Sequence, residues 1–87
     1  MKVTAAELSE QFDALMSRRR PREEVEFWAA ERMRANDERR LQFDPPEDEK
    51  RLWDAILYLL GVGLKVDEDR YLHGSEDFEA YRRDAAL

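Results

Sequence analysis

The hydrophobic positions of the chain fall into four segments with helical spacing. The most apolar segment lies within Glu47–Leu64, where large apolar side chains cover about 200° of a helix circumference at about 100° per residue. The residues of this arc are Leu52, Trp53, Ala55, Ile56, Leu57, Leu59 and Leu60. A helix with so wide an apolar arc needs neighbours on two or three sides, so we expect it to be the most buried element of a small bundle.

Three amphipathic segments supply those neighbours. The first begins at Thr4, whose hydroxyl can cap the amide of Glu7, and the second follows Pro21. Arg32 interrupts the apolar face of the second helix, and we expect it to extend along Trp28 or to pair with a carboxylate from another helix; a place at a binding cleft is the functional alternative. The pattern predicts an all-α fold: a small single-domain bundle over residues 1–87, with a buried third helix and helices at 4–17, 22–35, 46–60 and 75–86.

Local residue types predict how the helices begin and end. Asp44 is a candidate cap for the third helix, and Ser75 is a candidate cap for the fourth. Gly61 suits a left-handed end to the third helix. Gly63–Val66 is expected to be extended, with one β-bridge at most.

Composition and charge narrow the function classes. The chain has no cysteine and a net charge of −6, with nine basic and nine acidic residues in 1–40 but six and twelve in 41–87. This imbalance disfavours general nucleic-acid binding, which needs basic patches, and favours a basic protein partner or simply solubility. Without a membrane-spanning run or a secretory leader, the chain is expected to be cytoplasmic.

The residues that could carry catalysis or hold a metal are few. His73 is the only histidine, and Ser75 is better placed to cap a helix than to act as a nucleophile. Asp67 and Asp69 lack the further ligands and the glycine of a calcium loop. We therefore expect no catalytic, cofactor-binding or metal-binding residues, no cofactor, and no enzymatic activity.

The basic run Ser17–Arg22 admits two interpretations. The first is a contact with phosphate or with lipid headgroups. The second is a helix end, where cations favour the negative end of the helix dipole, followed by a new helix that begins after Pro21. The second is favoured, because Glu23, Glu24 and Glu26 neutralise the run immediately.

The acidic second half offers a candidate protein-binding surface. Tyrosine anchors interfaces well, and carboxylates speed the encounter with a basic partner. The candidate partner-binding residues are Asp54, Tyr58, Asp67, Glu68, Asp69 and Tyr71. A surface ladder of ion pairs explains the Asp54 and Tyr58 strip equally well.

Three sequence motifs together resemble those of immunity proteins of polymorphic toxin systems. They are Pro21–Val25 with Trp28-Ala29, Leu57–Leu64 within the pattern LxxLGVxL, and Tyr71-Leu72-His73 with Asp77-Phe78. The resemblance implies stoichiometric neutralisation of a cognate toxin with a basic surface, and it implies neither a nucleic-acid nor a membrane partner. A small regulatory or adaptor module that binds a housekeeping protein is the alternative, and the oligomeric state stays open.

Overall fold

Four helices and a small sheet make up the fold. The computed structural model describes residues 1–87. The helices are α1 (Ala5–Met16), α2 (Arg22–Asp37), α3 (Glu49–Leu60) and α4 (Ser75–Asp84), and a 3-10 turn at Pro46–Asp48 precedes α3. In the packing, α2 lies along α3 and α1 lies along α4. None of the helices has the length and apolar character needed to cross a lipid bilayer.

Two short strands correct the all-α prediction. Strand β1 (Lys2–Thr4) pairs in parallel with β2 (Gln42–Asp44), with Val3 opposite Phe43. Val3 is fully buried, and the Phe43 ring meets Trp53 of α3 edge to face at 6.4 Å between centroids. Strands of three residues are too short to show an alternating pattern, so the hydrophobic pattern does not predict this sheet.

The hydrophobic core takes side chains from all four helices and from β1. Helix α3 contributes four fully inaccessible side chains: Leu52, Ala55, Ile56 and Leu59. These are more core-cluster residues than any other helix supplies, as predicted, although α1 has five buried residues when Gln11 and Ala14, which lie outside the cluster, are included. The apolar arc of α3 is narrower than expected, because Leu57 is 43% exposed and Trp53 and Leu60 are only partly buried.

The predicted cap at Thr4 is confirmed, whereas three other predicted caps are wrong. Thr4 Oγ1 accepts a hydrogen bond from the Glu7 amide at 3.1 Å. Asp44 lies in β2, and Gly61 ends α3 with φ of −104° rather than in the left-handed region. Ser75 is already helical, and the carboxylate of Asp77 instead accepts the Gly74 amide at 2.7 Å.

Arg32 adopts the first of the two predicted arrangements, while its ion pair is with Glu31 of the same helix and not with a carboxylate from another helix. Its guanidinium lies 4.1 Å from the Trp28 ring centroid, and it also approaches the Glu31 carboxylate at 3.5 Å. Burial lowers the pKa of Arg32, although the nearby Glu31 carboxylate opposes that effect. The residue therefore serves packing on α2.

Candidate functional site

Ion pairing divides the basic side chains of this acidic chain into two groups. Nine of the fifteen lysines and arginines have a carboxylate within 4.0 Å. The other six have none: Lys2, Arg18, Arg22, Arg34, Arg39 and Lys65. An unpaired cation can meet an incoming anion without first giving up a partner, so the positions of these six matter for binding.

Arg22, at the start of α2, is fixed in place by backbone carbonyls. Its Nη1 donates to the carbonyl oxygens of Val62 at 2.6 Å and His73 at 2.7 Å. Its guanidinium also lies 3.8 Å from the ring centroid of Tyr71. Charged hydrogen bonds of this kind hold a side chain firmly, so Arg22 joins the beginning of α2 to the segment between α3 and α4.

That segment forms a small hairpin over residues 64–72. Lys65 and Tyr71 form an antiparallel bridge, and the Leu72 amide donates to the Leu64 carbonyl at 2.8 Å. This agrees with the prediction of one β-bridge at most in this segment. The bridge places Lys65 beside Tyr71, with its ammonium 5.3 Å from the ring centroid.

Arg18 brings a third unpaired cation to the same place. It follows the end of α1 with φ of 60°, a left-handed conformation that costs an arginine about 1 kcal/mol. Arg18 and Arg22 line a cleft of about 310 Å³. We call this the cationic cleft: it is lined by Leu15, Arg18, Arg22, Tyr71, Ser75 and Phe78, and Lys65 stands beside its Tyr71 wall.

The cationic cleft suits an anion better than the largest cleft of the molecule does. That cleft has a volume of about 580 Å³ and lies beside β2. Its lining includes one cation, Lys2, and two carboxylates, Asp44 and Glu49. Its charge therefore opposes an anion, whereas the cationic cleft carries two guanidiniums and no carboxylate in its lining.

The structure separates the six residues predicted to bind a partner. Tyr71 lines the cationic cleft, while Asp67, Glu68 and Asp69 are exposed around the tip of the 64–72 hairpin. The amide of Asp69 and the guanidinium of Arg70 both donate to the Asp67 carboxylate, and they lower its pKa. This local pairing explains part of the tip without a partner.

Asp54 and Tyr58 lie elsewhere. Asp54 pairs with Lys50 at 3.0 Å on the exposed side of α3. Tyr58 stacks on Tyr81 at 4.1 Å between centroids and also contacts Phe12, Phe78 and His73. Its hydroxyl is buried without a hydrogen-bond partner, and burial raises its pKa.

Comparison with known proteins assigns the chain to a family. A family model described as YxzC DNA-binding protein matches residues 2–84. The chain belongs to this family. A relative from Bacillus subtilis (strain 168), an uncharacterized protein YxzC, is 36% identical over 56 residues. The matched region covers 64% of this chain and 40% of that relative, so the chain spans about two fifths of the relative's length. No solved structure matches the chain.

Membership of the YxzC family overturns the immunity-protein resemblance. The description of the family contradicts toxin neutralisation, which the resemblance implied, and also the adaptor alternative. It equally contradicts the basic protein partner and the exclusion of nucleic acid, which were inferred from the acidic charge. The motifs behind the resemblance are largely structural. Val25 is a buried core residue, and Arg22 and Asp77 hold backbone groups.

Sequence reasoning missed Arg18, Arg22 and Lys65 as a group. The basic run Arg18–Arg22 indicates a phosphate contact, but the carboxylates that follow it in the sequence argue against an excess of positive charge there. In the structure, Glu24 pairs with Arg20 and Glu10 pairs with Arg19, which leaves Arg18 and Arg22 unpaired. Lys65 carries no local signal, because it joins the group only through the hairpin.

Proposed function

We propose that this chain is a non-catalytic DNA-binding domain that holds DNA phosphates at the cationic cleft. The description of its family supplies the class of ligand. The location rests on one observation: three of the six unpaired cations, Arg18, Arg22 and Lys65, lie around Tyr71.

The geometry of the cleft suits phosphate. A guanidinium offers a planar fork of N–H donors that matches two phosphate oxygens, and Arg22 is already held by the Val62 and His73 carbonyls. Less side-chain freedom is then lost when a phosphate binds.

One neighbouring arginine can extend this contact. Arg19 pairs with Glu10, and both side chains are largely exposed. Exposed ion pairs contribute about 1 kcal/mol or less, so Arg19 can turn to a phosphate at little cost. Arg20 is held more firmly, because its Nη1 also donates to Oε1 of the buried Gln11 at 2.7 Å.

The net charge of −6 limits the affinity without preventing the contact. At physiological salt, exposed charges are screened over about 8 Å, so a phosphate in the cleft interacts mainly with the nearest cations. The acidic remainder still repels the flanking DNA. We therefore expect moderate affinity that is clearest at low salt.

Fluorescence anisotropy with a labelled DNA oligonucleotide tests this proposal. The test variant is the double change Arg18→Gln and Lys65→Gln, which leaves Arg22 in place because the fold uses it. The matched control is Arg34→Gln, which removes another unpaired cation about 18 Å along α2 from Arg22. Thermal melts followed by circular dichroism check that each variant is folded.

We expect the double change to weaken binding about tenfold or more in 50 mM salt, and the control to weaken it about twofold or less. Because about three phosphates are neutralised, log Kd should rise with log salt with a slope of about 2 to 3, and the double change should reduce that slope to about 1. Absence of binding at low salt would overturn the proposal. A larger loss of affinity from Arg34→Gln than from the double change would show that the DNA site lies at the other end of α2.

A further inference from the structure

The helices of this domain are poorly suited to the grooves of duplex DNA. A helix in the major groove is flanked by phosphates of both strands, so its outward face must tolerate a strong negative field. On every helix, the exposed carboxylates outnumber the exposed cations. On α2, for example, the exposed charged residues are one cation, Arg34, and four carboxylates, Glu23, Glu24, Glu31 and Asp37. Entry of any of these helices into a groove would bring carboxylates close to phosphates.

The high charge density of duplex DNA is a second reason why this acidic domain is poorly suited to bind it. Duplex DNA carries one negative charge per about 1.7 Å of axis, while each separate strand carries one per about 3.4 Å. The domain is acidic and only 38 × 25 × 20 Å, and three of its unpaired cations meet at one cleft. A flexible single strand can bend toward that cleft and keep its other phosphates away from the carboxylates, whereas a stiff duplex cannot.

The shape of the cationic cleft is the third observation. Besides its two arginines it has apolar walls, with Leu15 and Phe78 as lining residues and Tyr71 38% exposed at the edge. Its volume of about 310 Å³ leaves room for a flat nucleobase. Unpaired bases stack on aromatic rings and on guanidinium planes, while the bases of a duplex are already stacked on each other.

From these three observations we infer that the ligand of the cationic cleft is single-stranded DNA, with a phosphate on Arg18 and Arg22 and an unstacked base against Tyr71. This inference rests on the proposed DNA-binding function and names the form of DNA. Arg22 then has two roles, since it contacts the phosphate and orients the Tyr71 ring that it covers at 3.8 Å.

Anisotropy titrations of the whole 87-residue chain against four labelled probes test the inference. The probes are a mixed-sequence single-stranded DNA 20-mer, its duplex, the same single strand with most bases replaced by abasic sites, and a single-stranded RNA of the same sequence. We expect the single-stranded DNA to bind about tenfold more tightly than the duplex. The abasic strand keeps the phosphates and loses the bases, so it should bind about tenfold more weakly than the intact strand.

A matched pair of substitutions at Tyr71 locates the base. Tyr71→Phe keeps the ring and should bind single-stranded DNA within about twofold of the unmodified chain. Tyr71→Leu keeps an apolar side chain without a ring, and it should weaken single-stranded binding about five- to tenfold and duplex binding by a smaller factor, because the bases of a duplex do not stack on the ring. The abasic probe needs no substitution, so it still tests the stacking if Tyr71→Leu disturbs the fold.

The outcomes separate this inference from the proposed function. Duplex binding that equals or exceeds single-strand binding would overturn the inference and leave DNA binding standing. Equal binding of the intact and abasic strands would overturn it as well, because no base would then be recognised. Tighter binding of RNA would overturn DNA as the ligand, and no binding to any probe would overturn both proposals.

Discussion

Tyr58 carries a hydroxyl that the fold buries without a hydrogen-bond partner. Its ring is packed in an aromatic group with Phe12, Phe78 and Tyr81, and that packing keeps the phenol in the interior. A buried polar group left unpaired costs about 1–3 kcal/mol. Burial also raises the pKa of both Tyr58 and Tyr81, because the ionised phenolate would have to be desolvated.

We predict that Tyr58→Phe increases the free energy of unfolding at pH 7 by up to about 1 kcal/mol, because it removes the unpaired hydroxyl and keeps the ring. The alkaline response should change too. In the unfolded chain the phenol ionises near pH 10, while the folded chain holds its proton to higher pH. Stability is therefore complete below about pH 10 and is lost as the pH rises through the folded pKa.

Urea denaturation from pH 7 to 11 measures both effects. Tyr58→Phe should flatten the alkaline loss of stability. Tyr81→Phe is the control: it should flatten the alkaline loss without the gain at pH 7, since the Tyr81 hydroxyl is not among the buried groups without a partner. A loss of stability at pH 7 in Tyr58→Phe would mean that its hydroxyl has a partner.

At the level of elements, the sheet is attached to α3 by one aromatic contact. Phe43 of β2 meets Trp53 of α3 edge to face, and both side chains are only partly buried. Edge-to-face pairs contribute about 0.5–1.5 kcal/mol beyond the area they bury. Strand β1 is anchored separately by Val3, which is fully buried in the core, so this contact should mainly decide the local stability of β2.

A double-mutant cycle with Phe43→Ala and Trp53→Ala checks this. A fully buried tryptophan costs about 3–5 kcal/mol on truncation, so the half-buried Trp53 should cost about 2 kcal/mol. We expect the two changes to couple by about 1 kcal/mol in chemical denaturation. Hydrogen exchange at the Gln42 amide, which donates to the Met1 carbonyl, should accelerate in either single variant. Additive costs would show that the sheet is held by its backbone pairing instead.

For the molecule as a whole, DNA binding should depend more on where the carboxylates lie than on the net charge. The tip of the 64–72 hairpin carries Asp67, Glu68 and Asp69, and a single ion pair with Arg70 offsets part of that charge. The same hairpin supplies Lys65 and Tyr71 to the cationic cleft. The tip therefore places negative charge on the element that also forms one side of the proposed DNA site.

We predict that changing Asp67, Glu68 and Asp69 together to Asn, Gln and Asn strengthens DNA binding about three- to tenfold in 50 mM salt, because repulsion of the phosphates is removed. The gain should shrink at 200 mM salt through screening. The control changes Glu47 and Glu49 to Gln, two exposed carboxylates near the end of α2 that lies opposite Arg22, and it should change binding about twofold or less. Anisotropy measures both, and weaker binding after the triple change would identify the tip itself as a contact.

Residue spacing alone was enough to predict the four helices to within a few residues at each end, together with the Thr4 cap. Both depend on interactions between residues that are three or four positions apart, and such spacings can be read from the sequence itself. The buried positions Ile56 and Leu59 followed from the same periodicity. The resemblance failed because its motifs consist largely of residues that fold a helical domain, and such residues do not specify a ligand.

Packing between distant segments decided the sheet and the candidate site. Val3 and Phe43 are 40 positions apart, and only the arrangement of α1, α2 and α3 brings their strands together. Likewise, the sequence shows that Arg18, Arg20 and Arg22 are charged, but not that Arg20 finds a carboxylate while the other two do not. Ion pairing depends on distances across the fold, and Lys65 reaches Tyr71 and the cleft only because the hairpin closes.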